Sequence, residues 1–143
     1  MRREPISPKA LAAALMLLLA GCTSASSPAT PAAASIVGPV WVAEDIAGGA
    51  AGGEAPITLQ LGTDGRVNGR GGCNGYGGAY TLTGDALSFG PMMSTKMACA
   101  PALMDREQRY FTALAQTAHY AVADDGALLL TTADGKTIRF RRQ

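Results

Sequence analysis

From Val40 to Phe140 the apolar residues recur mainly at every second position, in short runs broken by glycine and Asp-Gly steps. A period of two belongs to strands that bury one face. Short runs joined by tight turns read, up to Phe89, as a meander. Val40-Trp41-Val42 opens the series with β-formers, and Trp41, the single tryptophan, is the expected core anchor. Ile57-Thr58-Leu59-Gln60-Leu61 alternates cleanly. Thr63-Asp64-Gly65 supplies a turn that tolerates positive φ, and Arg66-Val67-Asn68-Gly69 returns. Ala79 to Leu82 and Ala86 to Phe89 form a second pair around Gly84-Asp85. Between the first strands, Gly48 to Gly53 reads as an exposed flexible loop.

After Pro101 the period changes. Leu103, Glu107, Tyr110, Phe111, Leu114 and Ala118 recur at three- and four-residue spacings, and neither proline nor glycine interrupts Ala102 to His119. That pattern predicts one amphipathic helix, with Asp105 and Glu107 towards its positive N-terminal end. Strands resume with Tyr120-Ala121-Val122, Leu128 to Thr131 and Thr137 to Phe140, separated by Asp125-Gly126 and Asp134-Gly135. In the last strand Arg139 and Arg141 alternate with Ile138 and Phe140, which places them on the solvent face, where they would discourage edge-to-edge pairing. The domain thus reads mostly as short strands with one helix.

The region before Val40 carries an address. Arg2, Arg3 and Lys9 precede an apolar run from Ala10 to Ala20, which ends in Leu19-Ala20-Gly21-Cys22. A basic start, an apolar core and a small-residue cleavage site make a secretory signal, and the run is shorter than the roughly 20 residues that span a bilayer. Leu-Ala-Gly-Cys resembles the bacterial lipobox. The resemblance implies cleavage after Gly21, diacylation of the Cys22 thiol, and an amine free to take a third chain. Two or more chains hold a protein firmly to a bilayer. Residues 1–21 then form a signal peptide. Residues 22–35, uncharged and without aromatics, form a lipidated, disordered tether, and the domain covers 36–143. Thr23 rather than aspartate follows the cysteine, which points to the outer membrane of a Gram-negative envelope, with the domain in the periplasm. Removing residues 1–21 takes away Arg2, Arg3, Lys9 and Glu4, so nine basic residues face ten acidic ones. That balance makes no basic footprint for nucleic acid.

With Cys22 acylated, Cys73 and Cys99 remain, an even pair in an oxidising compartment, which reads as one disulfide. Two other uses can be written down. A metal site would draw on the lone His119, without a CxxC pair or a second histidine. A Cys–His nucleophile would pair either thiol with His119, which follows the helix at an apolar seam. Cys73 lies in the densest glycine cluster, Gly69 to Gly78. Both flanks of that cluster read as strands, so it lacks the strand-to-helix context of a phosphate loop. Its glycines suit positive φ, a bulge, or close backbone approach around a buried sulfur.

Gly71-Gly72-Cys73-Asn74-Gly75-Tyr76-Gly77-Gly78-Ala79-Tyr80 resembles the Gly-Cys-Asn-x-Tyr-x-Gly-x-Tyr signature of the META/HslJ-type domain. Thr95-Lys96-Met97-Ala98-Cys99 resembles its second block, Thr-x-Met-x-Cys, and Glu107 matches its usual glutamate. The motif residues are therefore Gly72, Asn74, Tyr76, Gly78, Tyr80, Thr95, Met97 and Glu107, with Trp41 and Leu128 to Leu130 in register and the likeness extending over nearly all of 37–142. Extra glycines at Gly75 and Gly77, and the glycine-rich stretch at Gly48 to Gly53, depart from the pattern. The resemblance implies a compact α+β domain, a small, highly curved, barrel-like antiparallel sheet with one helix packed on it. It also implies an envelope protein associated with heat shock and antibiotic tolerance, with no catalytic residues to carry over. No enzyme, cofactor or metal is expected, and a monomer is. Two functional classes remain: binding of an envelope protein or component through the domain surface, or carriage of a small hydrophobic ligand inside the sheet. Inhibition of a periplasmic hydrolase is an alternative beside the carrier.

The lipobox reading has a direct consequence. Cys22→Ser should abolish incorporation of radioactive fatty acid in growing cells; undiminished label in the variant would refute acylation at that sulfur.

Overall fold

A computed structural model describes residues 35–143. The expected signal peptide, Cys22 and nearly all of the expected tether lie outside the described residues. The order of elements is β1 (Val40–Ile46), β2 (Gly49–Ala50), β3 (Thr58–Leu61), β4 (Arg66–Arg70), β5 (Gly75–Thr83), β6 (Ala86–Phe89), β7 (Met93–Ser94), α1 (Pro101–Ala115), β8 (Thr117–Val122), β9 (Leu128–Thr132) and β10 (Thr137–Arg142).

Eight of these strands close a ring in the order β1-β3-β4-β5-β6-β8-β9-β10, and β10 returns to β1. Every pairing between the named strands is antiparallel. The curved sheet is thus a barrel, with β2 flanking β1 and β7 flanking β5. Closure removes the exposed edges of a sheet. The closing ladder sets Trp41 opposite Arg142 and Ala43 opposite Phe140, then slips by one residue between Ala43 and Asp45.

Period-two patterning fills the interior. Leu59, Leu61, Val67, Leu87, Leu128, Leu130, Ile138 and Phe140 are all buried in one core with Trp41. Trp41 is 1% exposed, and its indole N–H donates to the Ile36 carbonyl at 3.0 Å. The same anchor therefore fills the barrel and fastens the segment by which the chain enters it. The helix touches β1 and β6, which stand on opposite sides of the eight-membered ring, so it lies across one barrel end. Its buried stripe is Glu107, Tyr110, Ala113 and Leu114, with Leu103 and Phe111 half-buried.

Several expectations change. The helix stops at Ala115 rather than His119: the Gln116 N–H turns back to Ala113 O at 3.2 Å, and Thr117 joins β8 opposite Thr132. Ala118 therefore belongs to a strand, not to the helical stripe. His119 is not at an apolar seam; it is exposed on β8, 3.7 Å from the Asp85 carboxylate. Glu107 is the seventh residue of a helix that begins at Pro101, well beyond the first turn where a carboxylate profits from the macrodipole. Arg139 and Arg141 do face outward, but β10 pairs on both sides and has no edge to protect. Their guanidinium groups instead hold Glu44, and Arg139 also binds Asp125. The Ala127 backbone N–H first, and Arg139 next, pull the Asp125 carboxyl below its ordinary pKa.

The glycine-rich stretch from Gly48 is also more ordered than expected. Ala47 and Gly48, at φ 54° and 84°, form a two-residue turn with both centres in the left-handed region, and this lets β2 fold back on β1. Ala51 is buried, and the Arg106 guanidinium grips the following residues through Gly52 O at 2.6 Å and Ala55 O at 2.5 Å.

Leu114 is fully buried against the barrel. Leu114→Ala should cost about 2–5 kcal/mol, the range for a truncated core leucine. A denaturant midpoint equal to that of wild type would show that the stripe is not packed.

Candidate functional site

The signature residues converge beside the N-terminal half of the helix. Gly71 to Asn74 bridges β4 and β5, and the segment from Met93 to Ala100 leads from β7 into α1. Cys73 and Cys99 are joined by a disulfide, with Cα atoms 6.1 Å apart. This spacing suits the bond, and it removes both thiols from any nucleophilic pairing with His119.

Asn74 is the hub. Its backbone N–H donates to Glu107 Oε2 at 2.6 Å and its side-chain amide to Oε1 at 2.7 Å. Its Oδ1 accepts from the Thr95 hydroxyl and from the Met97 N–H, both at 2.7 Å. The amide also reaches Met97 O at 3.4 Å, and Asn74 O accepts from the Gly71 N–H at 2.8 Å. An asparagine side chain offers two donors and one doubly accepting oxygen, and here all are used. Glu107, 5% exposed, lies fully within this network. Gly71 is needed because a Cβ there would sit 2.7 Å from the Phe111 ring and 2.8 Å from Glu107 Oε2.

The tyrosines continue the network inward. The Tyr76 hydroxyl donates to Thr58 O at 2.8 Å and lies 2.6 Å from the Tyr110 hydroxyl. The two rings meet edge to face at 5.7 Å. Burial raises both phenols above their ordinary pKa, and for Tyr110 the neighbouring Tyr76 adds to the rise. The Tyr80 hydroxyl donates to Gly62 O at 2.6 Å. Gly78 lets Met92 close over β5, since a Cβ there would come within 2.7 Å of the Met92 sulfur. Met97 enters through its backbone alone: its side chain is 51% exposed.

The residues picked from sequence therefore do assemble, but as a lock in which the polar side chains of Asn74, Tyr76, Tyr80, Thr95 and Glu107 are bonded to other parts of the chain. Sequence reasoning missed the surface beside that lock. An open cleft of about 640 Å³ lies over the outer face of β3, β4, β5 and β7, lined by Thr58, Asn68, Arg70, Gly75, Met93 and Thr95 among others. Among the described residues the two large apolar side chains most exposed to solvent, Met93 (80%) and Met97, lie on the adjoining segment. The faint signal available was the pair of glycines that depart from the family pattern. Among the described residues no group of three or more His, Cys, Asp or Glu is placed to hold a metal ion, and no helix is long and apolar enough to cross a membrane.

A closed eight-stranded barrel capped by one helix, and pinned by a disulfide beside a buried Asn–Glu pair, defines a compact single-domain scaffold. The chain belongs to the META domain family, whose model matches residues 34–143. It is similar to the NMR structure of a protein from Burkholderia xenovorans at 31% identity and a TM-score of 0.61, covering 76% of this chain and 83% of that one. A second protein solved by NMR shares the fold at 23% identity and a TM-score of 0.59, over 72% of this chain and 87% of the other. No curated protein matches the chain.

Two tests follow from the lock. Asn74→Ala should destabilise by about 1–3 kcal/mol for each buried group left unpaired. Asn74→Asp should cost more at neutral pH, because it sets a second carboxylate against Glu107, and should recover in part as the pH falls. Urea midpoints of the two variants decide the matter; equal midpoints would show that Glu107 does not sense position 74. The tyrosine pair sets an alkaline limit. Their folded pKa values lie above the unfolded value of 10.0, so their contribution is intact below about pH 10 and is lost as the pH rises beyond it. Tyrosinate absorbance followed with circular dichroism should show these two phenols ionising only with loss of structure. Ionisation of all four tyrosines with the fold intact would overturn this.

Proposed function

We propose that this META domain protein is a non-enzymatic, lipid-anchored protein of the Gram-negative envelope. It is held to the outer membrane through Cys22, and it serves stress response or antibiotic tolerance by binding an envelope protein or component through its surface. One observation carries the reading: the polar groups of the signature are bonded internally, so they act as a scaffold and leave the outer surface to make contacts. The lipobox-like Leu19-Ala20-Gly21-Cys22 supports the anchor and the location. A hydrophobic-ligand carrier has less support, because the barrel interior is occupied by Trp41, Leu59, Leu61, Leu87, Leu130 and Phe140. Inhibition of a hydrolase would be one form of protein binding.

Photo-crosslinking tests the reading in intact cells, with a crosslinker placed at Met93 and, as a control, at Thr81 on the outer barrel wall. A specific envelope adduct from Met93, absent from Thr81, is expected. Adducts of equal pattern from both sites would remove the surface-binding reading.

A further inference from the structure

The glycines between Gly69 and Gly78 fall into two sorts. Gly69, Gly71, Gly72 and Gly78 are demanded by packing: a Cβ on Gly69 would collide with the Thr58 carbonyl, and one on Gly72 would meet Leu103 at 3.0 Å with φ at 111°. Gly75 and Gly77 are not demanded. Neither has positive φ, and a Cβ would find its nearest atom at 3.9 Å and 3.4 Å respectively. Both lie inside β5, where glycine weakens a strand through its entropy and its missing side chain. Nothing within the fold repays that cost, which directs attention to what approaches from outside.

Both glycines face outward, because Tyr76 between them points into the core. Arg70 stands directly opposite Gly75 and Asn68 opposite Gly77 across the β4–β5 ladder, while Met93 pairs with Gly77 from the other side. The bare backbone of Gly75 thus lies in the floor of a trough, and Gly77 lies in a hollow that adjoins it at Asn68. The 640 Å³ cleft has Thr58, Asn68 and Arg70 along one wall and Met93, Ser94 and Thr95 along the other. Arg70 is its one charged lining residue, it makes no ion pair among the described residues, and Lys96 follows Thr95. Among the described residues no acidic side chain lines this cleft, and Asp64 lies in the adjoining hollow, beyond Asn68 and Gly77.

We propose that this trough is a docking site for an extended acidic segment of a partner protein, and that Gly75 and Gly77 are bare so that its backbone can lie against β5. A carboxylate of that segment pairs with Arg70. An apolar side chain packs on Met93, whose flexible thioether suits such a contact. Thr58, Asn68 and Ser94 offer hydrogen bonds to its peptide groups. The partner's class rests on the surface-binding reading above; the trough itself does not.

The test is an NMR titration of the full chain with a synthetic octapeptide of alternating glutamate and leucine, beside the same peptide with lysine for glutamate and an acidic oligosaccharide. The acidic peptide should shift the amides of Gly75 and Gly77 and the Met93 methyl in a saturable way, while the basic peptide should not. Arg70→Glu and Gly77→Thr should each weaken binding by about tenfold or more, with thermal stability unchanged or raised, since threonine favours strands. No shift at these amides, undiminished affinity in Gly77→Thr, or a response to the oligosaccharide alone would each overturn the proposal. Peptide binding here without a Met93 adduct in cells would uphold the trough and remove the envelope reading; an adduct without peptide binding would do the reverse.

Discussion

Asn74 and Glu107 form the interaction on which the remaining architecture hangs. They join the β4–β5 connection to the helix across 33 residues of sequence, and through Thr95 and Met97 they fix the segment that leads into that helix. A buried polar network of this kind holds its geometry when every member is satisfied, and it is costly when one is not. Here Asn74 saturates its side chain and both of its backbone groups, so the helix has one seat on the barrel rather than several. The Cys73–Cys99 bond lies one residue from Asn74 and spans a separation of 26 residues. The covalent link shortens the unfolded chain's freedom by on the order of 3–4 kcal/mol in the chain-entropy model, and the hydrogen bonds then choose the orientation.

From that seat the packing follows. Tyr110, Ala113 and Leu114 are pressed into the barrel end, where Tyr110 meets Tyr76 and Phe140 edge to face. At the entry strand Trp41 performs the matching task, filling the interior while its indole N–H holds Ile36. The barrel closes between β1 and β10, the strands furthest apart in sequence, so the ring is complete only when both ends of the domain are in place.

Much of this was legible. The alternation in Ile57 to Leu61, in Ala86 to Phe89 and in Thr137 to Phe140 states a buried face directly, and each became a strand. The helix was legible from its spacing, but its end was not. Gln116 to His119 contains no breaker, and pairing of Thr117 with Thr132, a contact distant in sequence, decides the boundary. Gly75 to Gly78 could not announce a strand, because glycine has no side chain to alternate. The outward faces of Arg139 and Arg141 were correct, yet the sequence could not reveal that β10 gains a second neighbour. The signature residues were all found, and their meaning changed: Glu107 looked like a helix-terminus acid and is a buried acceptor.

That change bears on how such a small domain can present a binding surface. Loops that bind well are usually ones whose conformation is already fixed, since ordering on contact subtracts from affinity. The segment from Met93 to Cys99 is fixed at several points: Met93 and Ser94 pair with β5, Thr95 and Met97 bond Asn74, and Cys99 is tied to Cys73. It then passes into the helix at Pro101, where the ring of proline sets φ and no N–H is missed. Met93 and Met97, which no internal contact requires to be exposed, therefore project from a rigid ledge. A mobile loop would let them fold inward and bury their sulfurs. The internal bonding of the signature and the exposure of these two side chains are thus two sides of one arrangement: the lock spends the polar groups so that the apolar ones stay outside.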